Sequence, residues 1–446
     1  VSFPDTFLDH LEGVPGFSSP AFQEAHRMAP PTSIRQNPFK PVSLSFEASS
    51  IPWSKQGFYL DQRPSFTFDP LFHAGTYYVQ EASSQLLEPI LSACTDLTQP
   101  LRVLDLCAAP GGKSTHLLSL LSENSLLVSN EVIRSRAGIL QDNLDKWGCF
   151  NVVVTQEDPS VLGRVKGFFD VIVVDAPCSG SGLFRKDPEA MTHWNPAAVE
   201  HCSGRQKRIL KDIWPALKEG GSLIYSTCSY SQQEDEEVVH WILSSFDAAL
   251  QLPDLSSSWG ITHTEMGFRC WPHLMKGEGF FISAIKKKSA EAPLSSRNRV
   301  EVGKLSASQQ QTLSEWWQPV GITWLEGTEG LWAFPSSLLP ELSVLSAICR
   351  PIRTGTLLGA WSRNDIIPDH ALALSRYPHP SIPRLELDRA ESIRYLQRGT
   401  LDRPELRKGW HLATHLGQSM GWIKSLGNRL NNCYPKHLRI LRQSVG

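Results

Sequence analysis

The stretch Leu101–Ser114, LRVLDLCAAPGGKS, constrains the fold of this chain more than any other. Val103, Leu104 and Leu106 make a short apolar run that carries one carboxylate, Asp105. The run breaks at Cys107-Ala108-Ala109-Pro110-Gly111-Gly112 and restarts at Lys113 as an amphipathic helix through Leu121. Strand, glycine turn and helix form the first unit of a doubly wound α/β domain. The turn lies at the carboxyl end of the strand, where such sheets bind ligands, and adjacent glycines let the backbone approach a ligand closely. Two better-known loops are excluded. The dinucleotide pattern G-x-G-x-x-G is absent, and a phosphate-binding P-loop ending at Gly112-Lys113 needs glycine where Cys107 stands.

Downstream, apolar strands alternate with helical stretches, the pattern of a parallel sheet covered on both faces. Leu126–Asn130 delivers Glu131, Asn151–Thr155 leads to Glu157-Asp158, and Phe169–Val174 delivers Asp175-Ala176-Pro177-Cys178. Ser222–Ser226 delivers Thr227-Cys228-Ser229-Tyr230, and Gly279–Ile285 fits a closing antiparallel strand. A carboxylate ending the second strand is placed to accept hydrogen bonds from a ribose diol, which makes Glu131 a cofactor candidate. Asp158 is placed for an adenine amino group, although an acidic residue there can also cap the next helix. Carboxylates in register after a glycine turn point to a nucleoside-bearing cofactor. Without a phosphate cradle, S-adenosylmethionine fits better than a triphosphate.

Neighbouring strand ends lie roughly 5 Å apart, so Cys178 and Cys228 are expected to open on one crevice. A lone cysteine at a strand end is usually a small buried hydrophobe; two at adjacent ends, each in a polar turn, read as reactive. No histidine stands at ligand spacing, so no metal site is expected.

Four motifs now stand in order: AAPGGK at 108–113, DAPCSGSG at 175–182, STCSY at 226–230 and GEGFF at 277–281. Over residues 72–288 the chain resembles the Nop/Sun family of RNA cytosine-5 methyltransferases. Its last block, Leu412–Arg442 with Gly421-Trp422 and NCYPKHLR at 432–439, is similar to the PUA-like segment of the bacterial 16S rRNA methyltransferase F branch. The resemblance implies a Rossmann-like class I methyltransferase fold with S-adenosylmethionine held by Cys107, Ala108, Ala109, Pro110, Gly111, Gly112, Lys113, Glu131, Asp158 and Asp175. It also implies that Cys228 is the nucleophile that adds to carbon 6 of cytosine, that Asp175 meets the base at N3, and that Cys178 assists removal of the carbon 5 proton. Position alone does not decide which thiol attacks, because DNA cytosine methyltransferases use the cysteine of the Pro-Cys loop.

The expected organisation is a small α/β or ferredoxin-like RNA-binding appendage over 1–75, the methyltransferase domain over 76–288, a polar linker over 289–299, and an α+β RNA-binding region over 300–446 that is PUA-like toward its end. Residues 401–446 carry eight Lys/Arg (Arg403, Arg407, Lys408, Lys424, Arg429, Lys436, Arg439, Arg442) against Asp402 and Glu405. That net charge of +6, in a chain whose formal charge is -2, points to an RNA-backbone contact. Arg35, Asn37, Arg185 and Lys186 are weaker phosphate candidates, each with solvated surface as the alternative. Ser231 and Glu234 read as a capping box for the following helix, and the acidic run 234–237 as complementing its dipole. His273 reads as structural.

No apolar run approaches the ~18 residues of a membrane span, and the opening VSFPDTFLDHLEG lacks the apolar core of a signal peptide. Nine cysteines without paired spacing suggest a cytoplasmic protein with reduced thiols. The reading is therefore a monomeric RNA cytosine-5 methyltransferase acting on 16S rRNA. The rivals are a tRNA methyltransferase with the same chemistry, a non-catalytic RNA-binding assembly factor, and a nucleotide hydrolase, the last disfavoured by Cys107.

Overall fold

The computed structural model describes residues 3–43, 46–292, 300, 302–303, 305–317, 321–363, 365–402 and 405–442. Its centre is a ten-stranded mixed sheet. Five strands run parallel: β1 (Arg102–Asp105), β2 (Leu126–Asn130), β3 (Val152–Thr155), β4 (Phe169–Asp175) and β5 (Leu217–Thr227), in the order β3-β2-β1-β4-β5. The strand order reverses between β1 and β4, which opens a crevice at their carboxyl ends. Alternate residues feed opposite cores. Val103, Val171 and Val173 pack on one face, Leu104, Ile172 and Val174 on the other, as a two-residue strand period requires. β2 and β3 are buried at every position, as expected of strands covered by helices on both sides.

β6 (Phe280–Lys287) pairs antiparallel with β5, but it does not close the sheet. Phe268–Cys270 and Thr262–His263 extend the sheet beyond it. At the opposite edge, the C-terminal region contributes Arg353–Thr354, antiparallel to β3, a pairing the sequence did not suggest. The linker expected at 289–299 lies largely outside the described residues.

The N-terminal region builds a four-stranded antiparallel sheet from Ala48–Ser50, Gly57–Leu60, Thr32–Gln36 and Tyr77–Val79. Its fourth strand lies beyond residue 75. After that strand comes a 3-10 turn at Ser83–Leu86 followed by a helix at Leu87–Cys94. The C-terminal region holds two further four-stranded sheets, one over residues 322–368 and one over residues 384–432. The second packs against the N-terminal region: Leu387, Tyr395, Met420 and Ile423 share a core with Phe68 and Ala74, and the Tyr434 hydroxyl lies 3.1 Å from His73 Nδ1. No helix among the described residues is long and apolar enough to cross a membrane.

Arg35 and Asn37 serve this assembly and are not phosphate ligands. Arg35 is fully buried. Its guanidinium lies over the Trp147 ring at 4.5 Å and donates to Gln80 Oε1 (2.8 Å), Thr115 Oγ1 (2.7 Å) and the carbonyl of Gly112 (3.3 Å). Asn37 Nδ2 donates to the carbonyls of Gly75 and Trp147 at 2.9 and 3.1 Å. The N-terminal sheet thereby grips α1 (Gly112–Leu120) at its first turn.

Candidate active site

The glycine turn between β1 and α1 is braced from several sides. Gly111 adopts φ +114°, a conformation that favours glycine. The Ala108 N–H donates to the Asn130 carbonyl at 2.8 Å, which ties the loop to the end of β2. From α2 (Arg134–Trp147), Arg136 Nη2 donates to the Ala109 carbonyl at 2.7 Å and Asn143 Nδ2 to that of Pro110 at 2.8 Å. Arg136 also pairs with Glu131 at 3.3 Å, and the Ile133 N–H donates to the other Glu131 oxygen at 2.9 Å. Sequence reasoning missed Arg136, since a basic residue opening a helix carries no positional signal.

A cavity of about 300 Å³ runs from Leu106 and Cys107 past Glu131, Ile133 and Asp158 to the two cysteines. Val132, Ile133 and Leu183 leave large apolar surface exposed on its walls, suited to a planar ring. Asp158 caps the short helix Pro159–Leu162, accepting from the Ser160 hydroxyl (2.6 Å) and N–H (3.0 Å). Those bonds hold its carboxyl below the usual range. Its contacts are thus those of a cap, while it still forms part of the wall. Asp105 lies beneath the turn, fully buried. Oδ2 accepts from the Ser114 hydroxyl at 2.7 Å, Oδ1 has no hydrogen-bond partner, and burial pushes its carboxyl up to about 7. Carboxylates, apolar walls and a close backbone approach fit a nucleoside-bearing methyl donor.

Cys178, three residues past the end of β4, and Cys228, directly after β5, bring their Sγ atoms to 3.2 Å. The bond to Cys228, then burial, push the Cys178 thiol well above its ordinary range. Asp175 stands beside them; its Oδ1 accepts from the Ser226 hydroxyl at 2.9 Å and its Oδ2 pairs with Lys113 Nζ at 2.7 Å. The Lys113 ammonium lies 5.0 Å from the Phe280 ring centroid. A second cavity, of about 410 Å³, opens between Tyr78, Gln80, Lys113 and Phe280. Asp175 and Cys228 line both cavities, so the reactive groups sit where the two spaces meet.

Two other expectations change. Arg185 is no phosphate ligand: it is tied through both Nε and Nη2 to buried Glu278 at 2.9 and 2.8 Å and reaches the Ala25 carbonyl at 3.1 Å; Lys186 stays exposed. Ser231 and Glu234 form no capping box. The helix opens only at Glu236, Ser231 Oγ meets His10 Nε2 at 2.9 Å, and Glu234 turns back toward the cysteine loops. Arg269 pairs with Asp235 at 3.2 Å and with Glu236, and Glu236 and Glu237 lie in the first turn of that helix, where they complement its dipole. His273 Nε2 lies 3.0 Å from the Gly16 carbonyl, a structural contact. Toward the C-terminus Arg407, Lys408, Arg429, Lys436, Arg439 and Arg442 are exposed, and Lys424 lies 4.6 Å over the Trp410 ring. Arg403 lies outside the described residues.

Comparison with known proteins gives consistent matches along the chain. Residues 94–286 match the family model for the 16S rRNA methyltransferase RsmB/F, residues 3–82 the N-terminal domain of 16S rRNA methyltransferase RsmF, and residues 382–440 the methyltransferase RsmF PUA domain. The chain is 30% identical to ribosomal RNA small subunit methyltransferase F of Escherichia coli O127:H6, with 98% of this chain and 97% of the relative covered. It is 29% identical to the Cronobacter sakazakii protein of that name, covering 98% and 96%. Among solved structures, a methyltransferase homolog protein from Pyrococcus horikoshii matches with a TM-score of 0.55 and 30% identity, over 64% of this chain and 96% of that one. Fold, site and near full-length similarity agree: the chain belongs to the ribosomal RNA small subunit methyltransferase F family, S-adenosylmethionine-dependent enzymes of class I architecture.

Proposed function

We propose that this protein methylates carbon 5 of a cytosine in 16S ribosomal RNA through a covalent adduct to Cys228. The observation that carries this reading is the pair of thiols 3.2 Å apart, with Cys228 and Asp175 where the two cavities meet and Cys178 on the wall of the first. The cavity containing Glu131 and Asp158 takes the cofactor, and the cavity between Tyr78 and Phe280 takes the base. A base paired in a helix must be flipped out to enter.

Carbon 5 of cytosine is weakly nucleophilic until a thiolate adds to carbon 6. Cys228 Sγ forms that bond, and the electron pair of the carbon 5–carbon 6 double bond shifts to make an enamine. Asp175 meets N3, and Lys113 beside it offsets negative charge that develops on the ring. S-adenosylmethionine supplies the electrophilic methyl group when bound. Glu131 holds the ribose diol, and the backbone of residues 107–112 holds the methionine portion. Cys178 then takes the proton from carbon 5, the carbon–hydrogen electron pair restores the double bond, and Cys228 leaves as thiolate. The raised Cys178 thiol supports this division of labour. A thiol of high pKa is a strong base once deprotonated.

We further assign the exposed basic residues of 407–442 to RNA-backbone contact, and we place the enzyme in the cytoplasm as a monomer. The test is a denaturing gel with small-subunit rRNA and S-adenosylmethionine. A protein–RNA band that accumulates with Cys178→Ala and vanishes with Cys228→Ala is expected. The reverse pattern would exchange the two thiols, and bands with tRNA alone would move the substrate.

A further inference from the structure

We infer that Glu234 is a positioning residue that holds the two reactive thiols in register by binding both cysteine loops through one buried carboxylate. The inference rests on the covalent-adduct reading above and deepens it. Strand pairing between β4 and β5 ends at Asp175 and Ser226, before either cysteine, so the last few ångströms of their approach are set by loop contacts. Glu234 binds the residue that directly follows each sulfur. Its Oε1 accepts from the Ser179 N–H at 2.7 Å; its Oε2 accepts from the Ser179 hydroxyl at 2.5 Å and the Ser229 hydroxyl at 2.6 Å.

The side chain is itself fixed. Glu234 is completely buried, its carbonyl accepts from the Tyr225 hydroxyl at 2.5 Å, and the next residue, Asp235, accepts from Thr227 Oγ1 at 2.5 Å. Tyr225 and Thr227 both lie on β5, so the clamp is anchored to the strand that presents Cys228. Two other contacts join the loops, Gly182 N–H to the Cys228 carbonyl at 2.8 Å and Tyr230 N–H to Ser181 Oγ at 3.0 Å. They fix the path of the loops, one of them at the Cys228 carbonyl, while Glu234 alone binds the serines that follow both sulfurs. The two hydroxyls accept as well as donate, so a glutamine amide could keep the tie through Oε1 on the Ser179 N–H and Nε2 on the hydroxyls. Glu234→Ala removes all three contacts.

Displacing a reacting group by about 1 Å can cost on the order of 100-fold in rate. Glu234→Ala is therefore expected to lower kcat by roughly 10- to 100-fold. The dissociation constant for S-adenosylmethionine should stay within about twofold, because Glu234 lines neither cavity. Ser179→Ala combined with Glu234→Ala should cost no more than the worse single change, since both cut the same tie. A wild-type kcat in Glu234→Ala, or full additivity with Ser179→Ala, overturns the inference. Where Glu234→Ala fails to fold, the Ser179→Ala/Ser229→Ala pair carries the test: lowered kcat at unchanged cofactor affinity supports the clamp, and unchanged kcat removes it. The Cys178→Ala adduct, run with Glu234 intact, separates the two ideas. Its absence defeats the thiol reading, whereas its presence beside an unaffected Glu234→Ala defeats only the clamp.

Discussion

The buried carboxyl of Asp105 shows how a residue under the turn shapes stability. An unfolded aspartate loses its proton near pH 4, whereas burial keeps the folded group protonated to about 7. Between those values the folded protein holds a proton that the unfolded chain has released, so this group's contribution falls as pH rises through the window. Asp105→Asn has no such proton. It is expected to gain on the wild type between pH 4 and pH 7, by up to about 4 kcal/mol, and urea unfolding at both pH values checks it. Glu131→Ala addresses binding as well: cofactor affinity should fall at least tenfold by equilibrium dialysis, and the melting temperature should drop too as the Ile133 N–H and Arg136 lose their acceptor. Both cysteines and the three strand-end carboxylates could be found in the sequence because strand ends in a doubly wound sheet converge by topology. Glu234 could not, because its role depends on how a loop folds back beyond β5, and its spacing to Ser231 imitates a cap.

At the scale of elements, α1 is held at its first turn by a cation from another sheet. Removing Arg35 leaves Gln80 Oε1 without its donor, while the Thr115 hydroxyl keeps the Gly111 and Gly112 carbonyls at 2.8 and 3.1 Å; an unsatisfied buried group costs about 1–3 kcal/mol. Arg35→Met is therefore expected to destabilise the protein by about 1–3 kcal/mol and to weaken cofactor binding through the loosened first turn of α1. Thermal unfolding and dialysis read the two effects separately. The parallel core was legible in the sequence because its strands are unbroken apolar runs ending in chemically distinctive turns. The anchoring of the N-terminal sheet was not. Arg35 and Arg185 look like surface cations until the acceptors gathered around them from distant segments are known. Local pattern carries elements, while long-range hydrogen bonding carries their mutual placement.

For the whole molecule, the basic C-terminal surface and the thiols belong to one packed body, since the last sheet shares a core with Phe68 and Ala74. Replacing Lys408 and Arg429 by Gln should weaken RNA binding and lower the slope of log affinity against log salt by roughly 0.7 per charge, with cofactor affinity unchanged; filter binding across a salt series tests this. The pairing of Arg353–Thr354 with β3 has another consequence. Ile352 N–H donates to the Val154 carbonyl and Gly355 N–H to that of Val152, each at 2.8 Å, so the outer rim of Val152-Val153-Val154 meets the chain's own backbone. An uncovered run of valines at a sheet edge is a template for pairing with another copy. A protein cut after residue 290 would leave that rim bare. It should associate with itself, visible as growth in light scattering with concentration, so the C-terminal region also works as a guard against aggregation.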